Sequence, residues 1–326
     1  MKRVSSVLVI KLSALGDFVV AFPAFARIRA AHPDARITLL TTPPFETLAR
    51  LSPYFDDVQT DGRPAGVGGW LRLVSRLRRA RHDRVYDLQC NDRTNLVFQA
   101  LRPRPPVWSG TATGCALPHR NPARAGMHPL ERHAEQLMQA GIWPQAPVRP
   151  LSAPPPDISW MLEKAKPQSR ASSRPPRPTA LLVPGSSPQH PKKRWPASGF
   201  GDLAARLDAQ GFDVLILGGL QESALAREIQ RRAPRARDLT GRTDLAQIAA
   251  LGARAAVAVG NDTGPVHLLA ATGRPTIVLF SSASSPERSA PRGHVTVFQA
   301  PDIADIAVET VLGAALALAR PDQAAS

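Results

Sequence analysis

The segment "AAVAVGNDTGPVHLLAATGRPTIVLFS", Ala255–Ser281, sets two apolar runs on either side of a polar turn and a helix-like stretch. "AAVAVGN" and "PTIVLFS" are uncharged and bounded by turn residues, the pattern of strands buried on both faces. Between them Asp262, Thr263 and Gly264 stand where a helix opens, ahead of the apolar "PVHLLAA". A strand, a helix and a second strand in that order predict a parallel pair joined by a crossover.

The same pattern runs through both halves of the chain. "SVLVIKL" reads as a strand, Phe18–His32 as mostly helical, and "ARITLLTT" as a strand before a helix near Pro44. "DRVYDLQ" is a further strand leading to the helix "RTNLVFQAL". Later, "TALLVPG" and "FDVLILGG" are strands, separated by helices such as "FGDLAARLDAQ" and "ESALAREIQRRA". Pro144–Pro178 interrupts the pattern, being rich in Pro, Ser and Arg around one expected helix, "ISWMLEKAK". The expectation is two doubly wound Rossmann-like domains, 1–150 and 178–326, with a linker at 151–177. The last helical stretch, Ile303–Ala319, is left to pack on either domain. Ligands of such sheets bind at the carboxyl ends of strands, so the cleft between the domains is the expected site.

Composition narrows the class. The chain has 326 residues, 43% hydrophobic and 21% charged, as in a globular protein of two ordinary domains. Lys2 and Arg3 before "VSSVLVI" imitate a secretion signal, but Lys11 and Asp17 interrupt the apolar run that such a signal needs. No apolar run is long enough to span a bilayer. Two cysteines, Cys90 and Cys115, suit neither a disulfide framework nor a thiolate metal site, and fit a reducing cytosol. The net charge of +15 reflects either an arginine-rich composition or an anionic partner: phosphorylated substrate, membrane surface or nucleic acid. "WLRLVSRLRRARHDR", Trp70–Arg84, reads as a basic amphipathic helix, with Trp70, Leu73, Val74 and Leu77 on one face and Arg72, Arg76 and Arg79 on the others. The expected reading is a surface helix docked on its own core with a solvated outer face, ahead of the alternative of a helix lying on a membrane.

Polar residues at strand ends are the candidate site. Asp17, in "KLSALGDFVVAFPA", is an acid between two apolar runs at a strand-to-helix junction, placed either to cap the helix or to accept a proton from a substrate. Gly16 beside it permits close backbone approach. Lys11, at the end of the first strand, has two open roles: holding the Asp17 carboxylate ionised or meeting a phosphate. "SSPQHPKKRWP", Ser186–Pro196, offers hydroxyls and lysines suited to a phosphate, or is an ordinary basic loop. The Asp262–Thr263–Gly264 turn exposes helix amides and a dipole end to which a diphosphate would bind, with His267 one turn further in.

Taken together, "VLVIKLSALGDFVVAFPAFARIRAAHP", "KRWP", "LGGLQE" and "VGNDTGPVHLLAATGRPTIVLF" resemble the ADP-heptose:lipopolysaccharide heptosyltransferases of glycosyltransferase family nine. The resemblance spans roughly Val7–Arg292. It implies a GT-B fold, with two Rossmann-like domains facing across a cleft, the acceptor held mainly by the first and the nucleotide sugar by the second. It also implies an inverting, metal-independent transfer with no cofactor, and no Asp-x-Asp metal motif stands in the chain.

By the resemblance, Asp17 is the general base. Lys193, with Lys192 as its neighbour, contacts the donor phosphates, and Ser186 and Ser187 are the hydroxyl pair before it. Glu222 binds the donor ribose, or is an acid complementing a helix dipole. Asp262, Thr263, Gly264 and His267 bind sugar and diphosphate. One stretch departs from the family: "FSSASSPERSAPRG" replaces a Gly-Pro-Thr-type turn, so contacts near Ser281–Arg288 are expected to differ. The implied partners are a nucleotide-sugar donor (ADP-heptose), a lipopolysaccharide-core or related glycan acceptor and, peripherally, the anionic inner face of the inner membrane. Nucleic acid is not expected. Two other readings compete, another nucleotide-sugar enzyme such as a 2-epimerase and a non-enzymatic basic binding protein. The second gives no reason for Asp17 or for the Asp262 turn.

Overall fold

The computed structural model describes residues 3–144, 156–164, 177–187 and 191–319. The chain divides into two compact units, Met1–Ser152 and Ala153–Ser326. In the first, strands β1 (Ser6–Ile10), β2 (Arg36–Leu40), β3 (Asp57–Gln59), β4 (Arg84–Asp87), β5 (Val107–Gly110) and β6 (Leu117–Pro118) form a parallel sheet in the order β3-β2-β1-β4-β5-β6. In the second, β7 (Thr179–Val183), β8 (Asp213–Ile216), β9 (Arg237–Asp238), β10 (Val257–Asn261), β11 (Thr276–Ser281) and β12 (Val295–Ala300) are parallel in the order β12-β11-β10-β7-β8-β9.

Both orders are those of a doubly wound sheet, and both reverse direction at the centre. The reversal falls between β1 and β4 in the first unit and between β7 and β10 in the second. Helices leaving two such neighbouring strands go to opposite faces, which opens a crevice at their carboxyl ends. The registers Ile10↔Asp87 and Gly260↔Val183 mark the last paired residues beside each crevice. A Cβ on Gly260 would lie 2.6 Å from Val266 Cγ2 and 2.8 Å from Val183 Cβ, so this position needs glycine for the chain to fold back closely on the end of β7.

The helices of the first unit are α1 (Leu15–Val20), α2 (Phe22–Ala31), α3 (Glu46–Leu51), α4 (Gly66–Ala80), α5 (Asp92–Ala100) and α6 (Pro129–Gln139). The single helix expected over Phe18–His32 is two. Pro23 has no N–H to continue the ladder, and the helix restarts around it with Phe25 N–H donating to Ala21 O at 3.0 Å. The basic helix α4 begins before Trp70 and stops at Arg81, whose φ of 47° is left-handed, so His82 and Asp83 are not helical and Arg84 already belongs to β4.

In the second unit α7 (Ser159–Lys164) packs against α10 (Leu245–Arg254). The rest of the linker expected at 151–177 lies almost wholly outside the described residues. The remaining helices are α8 (Ala197–Ala209), α9 (Ser223–Arg232), α11 (Gly264–Ala271), α12 (Pro286–Ser289) and α13 (Val308–Ala319). The last of these packs on α8 and β10 of its own unit, burying Val311 and Ala315 in a core that also holds Phe200, Leu207 and Val259.

Candidate active site

In the first unit the site is built on the loop after β1. Lys11 follows the last strand residue and is almost wholly buried, with 3% of its surface exposed. Leu12 N–H donates to Gln89 Oε1 at 2.8 Å, Gln89 Nε2 donates to Ser13 Oγ at 2.9 Å, and Thr42 Oγ1 donates to Leu12 O at 3.3 Å. These bonds hold the loop while Ala14 takes a φ of 25°, a strained value for a residue with a Cβ. Phe18 fixes the helix that follows, its ring stacked on Phe45 at 5.2 Å and edge-on to Phe25 at 5.3 Å. Gly16 is buried in the first turn, and Asp17 is half-buried at its third position.

Asp17 does not cap α1. The N-cap is Ala14 and no side chain bonds the free amides. Its carboxylate has no hydrogen-bond partner among the described residues, which leaves both oxygens open to a substrate. Burial pushes the Lys11 ammonium below the usual lysine range, and Asp17 is the largest influence opposing that shift.

A second buried group stands behind this loop. Asp87 ends β4 and is wholly buried. Its Oδ1 accepts from the amides of Gln89 at 3.0 Å and Cys90 at 2.9 Å, while Oδ2 has no hydrogen-bond partner among the described residues. Burial pushes its carboxyl up to about 6 against the pull of those bonds. From α6, His133 Nε2 lies 3.3 Å from Leu88 O, and burial pushes its imidazole well below the usual range, with Lys11 adding to the effect. Gln136 Nε2 donates to Asp87 O at 2.9 Å. Burial raises the Cys90 thiol to about 12, so it is an inert packing group.

In the second unit the loops after β7, β8 and β10 converge. Lys193 Nζ donates to Asp262 Oδ2 at 2.8 Å, with 21% and 6% of the two side chains exposed. Lys192 points outward, which separates two adjacent lysines that the sequence left ambiguous. Thr263 holds the N-cap position of α11 without a side-chain cap, and Gly264 opens the helix, so its first amides are not satisfied by a capping side chain. His267 is buried one turn further along. Ser186 is buried beneath Arg194, whose Nη2 donates to Ser186 O at 3.1 Å, and Ser187 is exposed.

Glu222 is buried at the end of a short 3-10 turn, Leu220–Glu222, and its Oε2 accepts from Gly219 N–H at 2.7 Å. Part of its carboxylate therefore serves the turn itself. A Cβ on Gly185 would lie 2.7 Å from Glu222 Cγ, which places this acid against the end of the β7 loop. The segment that departs from the family also reaches the site. Ser289 Oγ donates to Asp262 Oδ2 at 3.4 Å, and Ser281–Ala283 line a pocket of about 480 Å³ with Lys192 and Arg194.

Asn261 is the residue whose role the sequence did not reveal. Wholly buried at the end of β10, it accepts from Trp195 N–H at 3.0 Å and donates to Pro184 O at 2.9 Å and Gly185 O at 3.3 Å. One amide thereby ties the loop after β7, the Lys193 turn and the start of the Asp262 turn. The signal was its place before Asp262, where an amide at a strand end has backbone on three sides to satisfy.

A family model for glycosyltransferase family 9 (heptosyltransferase) matches residues 70–300, more than half of the chain. The chain belongs to glycosyltransferase family 9. Lipopolysaccharide heptosyltransferase 2 of Escherichia coli K12 is 27% identical over 313 residues, covering 88% of this chain and 86% of the relative. Among solved structures, the E. coli ADP-heptose lipopolysaccharide heptosyltransferase II superposes with a TM-score of 0.76 at 24% identity, covering 98% of this chain and 99% of that one. An E. coli heptosyltransferase solved with ADP gives a TM-score of 0.71 at 19% identity, covering 94% and 97%. The fold is GT-B, two Rossmann-like units each with a six-stranded parallel sheet. As a member of family 9 the chain is a glycosyltransferase.

Proposed function

We propose that the chain transfers a heptose from ADP-heptose to a lipopolysaccharide-core or related glycan acceptor, with inversion and without a metal. The observation that carries the reading is the Lys193–Asp262 pair at the mouth of α11, in a member of a heptosyltransferase family. In this reading the donor diphosphate takes the Lys193 ammonium and the first amides of α11 beyond Thr263 and Gly264. Charge that builds on the leaving ADP meets a cation and a helix dipole already in place, the role a divalent metal has in other transferases. The diphosphate draws Lys193 from Asp262, which frees the Asp262 carboxylate to accept from sugar hydroxyls beside His267. Ser186 and Ser187 line the same loop, and Glu222 accepts from the ribose through the oxygen that Gly219 does not use.

Asp17 is the general base in this reading. It takes the proton of the acceptor hydroxyl as that oxygen attacks the anomeric carbon, so the new bond forms on the face opposite the departing diphosphate. Its open carboxylate on a short helix anchored by Phe18 supports the assignment. The enzyme works in the cytoplasm at the inner face of the inner membrane, touching that anionic surface peripherally. Incubation with ADP-, UDP- and GDP-sugars, with and without extracted lipopolysaccharide core, tests the reading. Nucleotide release from an ADP-sugar that needs the core is expected, and transfer from only a UDP-sugar contradicts the donor assignment.

A further inference from the structure

The first unit carries a basic cavity remote from Asp17. A pocket of about 820 Å³ opens where β1, β4 and β5 begin, and Arg3, Arg78, Arg81, Arg84, Arg102 and Arg104 are among its lining residues. Because the sheet is parallel, this is the amino edge, and Asp17 follows the carboxyl edge. The five residues of β1, at about 3.3 Å each, separate the two edges by roughly 17 Å.

The charge in this pocket is largely uncompensated. Arg3 pairs with Asp34 at 2.8 Å. Asp83, the one acid in the lining, has its Oδ2 taken by Ser5 N–H, Ser5 Oγ and Ser6 N–H. Arg78 donates to Ala100 O at 2.6 Å and Arg102 to Thr113 O at 3.3 Å, bonds that orient the guanidinium groups without neutralising them. Among the described residues no carboxylate pairs with Arg78, Arg81, Arg84, Arg102 or Arg104.

The floor is apolar, supplied by Leu8, Leu77, Val85 and Leu101 of the domain core. Beside it, Leu71, Val74 and Ser75 of α4 line a second depression together with Arg78, Arg79 and Arg81, so the two hollows share Arg78 and Arg81. Val67 and Leu71 lie one turn apart on α4 and are 76% and 61% exposed, which a helix merely docked on its own core would not require. The inner face of α4, Leu73, Val74 and Leu77, is already buried. Arg76 is not part of the free charge, because it is bonded to Asp61.

We propose that this arginine-walled pocket, with the Val67–Leu71 stripe of α4 beside it, is the surface by which the protein docks on an anionic phospholipid bilayer. The proposal rests on the peripheral membrane contact in the functional reading above and assigns it a place. Guanidinium groups take headgroup phosphates through paired N–H donors, and the two exposed aliphatic side chains enter the acyl boundary. A free phosphate would use the arginines and gain nothing from Val67 and Leu71. A bilayer uses both.

The test is co-sedimentation of the full chain with vesicles of phosphatidylcholine alone and of phosphatidylcholine containing phosphatidylglycerol, with ADP binding measured by calorimetry in parallel. Wild type should bind the anionic vesicles and lose them as salt is raised. Arg81→Gln/Arg104→Gln should weaken that binding about twentyfold, near fivefold for each charge removed. Leu71→Ser should also weaken vesicle binding while leaving any affinity for inorganic phosphate unchanged. Both variants should keep the wild-type thermal midpoint and ADP affinity. Equal binding to neutral and anionic vesicles, or wild-type vesicle binding by the double arginine variant, overturns the docking surface. Intact ADP binding beside a failed vesicle result removes this surface and leaves the donor reading standing. Vesicle binding without ADP binding does the reverse.

Discussion

Lys193 Nζ and Asp262 Oδ2 meet at 2.8 Å across two loops that leave neighbouring strands, β7 and β10, at the point where the order of the second sheet reverses. A buried carboxylate holds the lysine where a diphosphate is expected, so the cation is oriented before any donor arrives. Lys193→Ala should weaken donor binding by about 1.5–3 kcal/mol, the range for a hydrogen bond to a charged group. Lys192→Ala, on the outward neighbour, should change it little. Calorimetry with ADP checks both, and the reverse order of effects would move the phosphate contact to Lys192.

Asn261→Ala should cost stability and donor affinity together. The substitution leaves Trp195 N–H and Pro184 O buried without their partner, at about 1–3 kcal/mol for each unsatisfied group. Because the same bonds hold the Lys193 turn, ADP affinity should fall even where the protein is fully folded. A lower denaturation midpoint with wild-type ADP affinity would restrict Asn261 to a structural role.

Asp87 gives the protein a pH dependence of unusual sign. Burial raises its carboxyl to about 6 in the folded protein, against the ordinary aspartate value of 3.8 in the unfolded chain. Across that window the native state binds more protons, so this group's contribution to stability is full below the lower value and is lost as pH rises through the upper one. The gap corresponds to about 3 kcal/mol. Asp87→Asn is neutral throughout and keeps an oxygen for the Gln89 and Cys90 amides, so it should gain on wild type as pH rises from about 4 to about 7. Denaturation midpoints across that range check it, and a constant difference between the two proteins would contradict it.

Much of the fold around the candidate site was legible in the sequence. The predominantly apolar strands β7, β8, β10 and β11 and the polar residues that follow them could be read from composition and order, since central parallel strands are buried on both faces. The edge strands were not legible. β6 and β9 are two residues each, too short to show a period, and β12 has a mixed exposed face. The break between α1 and α2 was written in Pro23, but the surrounding apolar run hid it. Asp17 admitted two readings from sequence, and the structure removes the cap because Ala14 occupies that position. Asn261 acts through backbone atoms distant in sequence, whereas Asp87 bonds the nearby amides of Gln89 and Cys90 and owes its raised carboxyl to burial, which the sequence does not display. Glu222 shows the opposite limit, a candidate site residue whose carboxylate also closes its own turn.

The central claim is that the Asp17 carboxylate removes the acceptor proton, and the Asp17→Asn variant tests it most directly. Asn keeps the shape of the side chain and removes the basic oxygen. Since Asp17 caps nothing, the thermal midpoint and ADP affinity should stay near wild type. The measurement is turnover at saturating ADP-heptose and lipopolysaccharide core. A fall of roughly a hundredfold to ten-thousandfold is expected for loss of a general base, and near-normal turnover would contradict the assignment and the mechanism built on it.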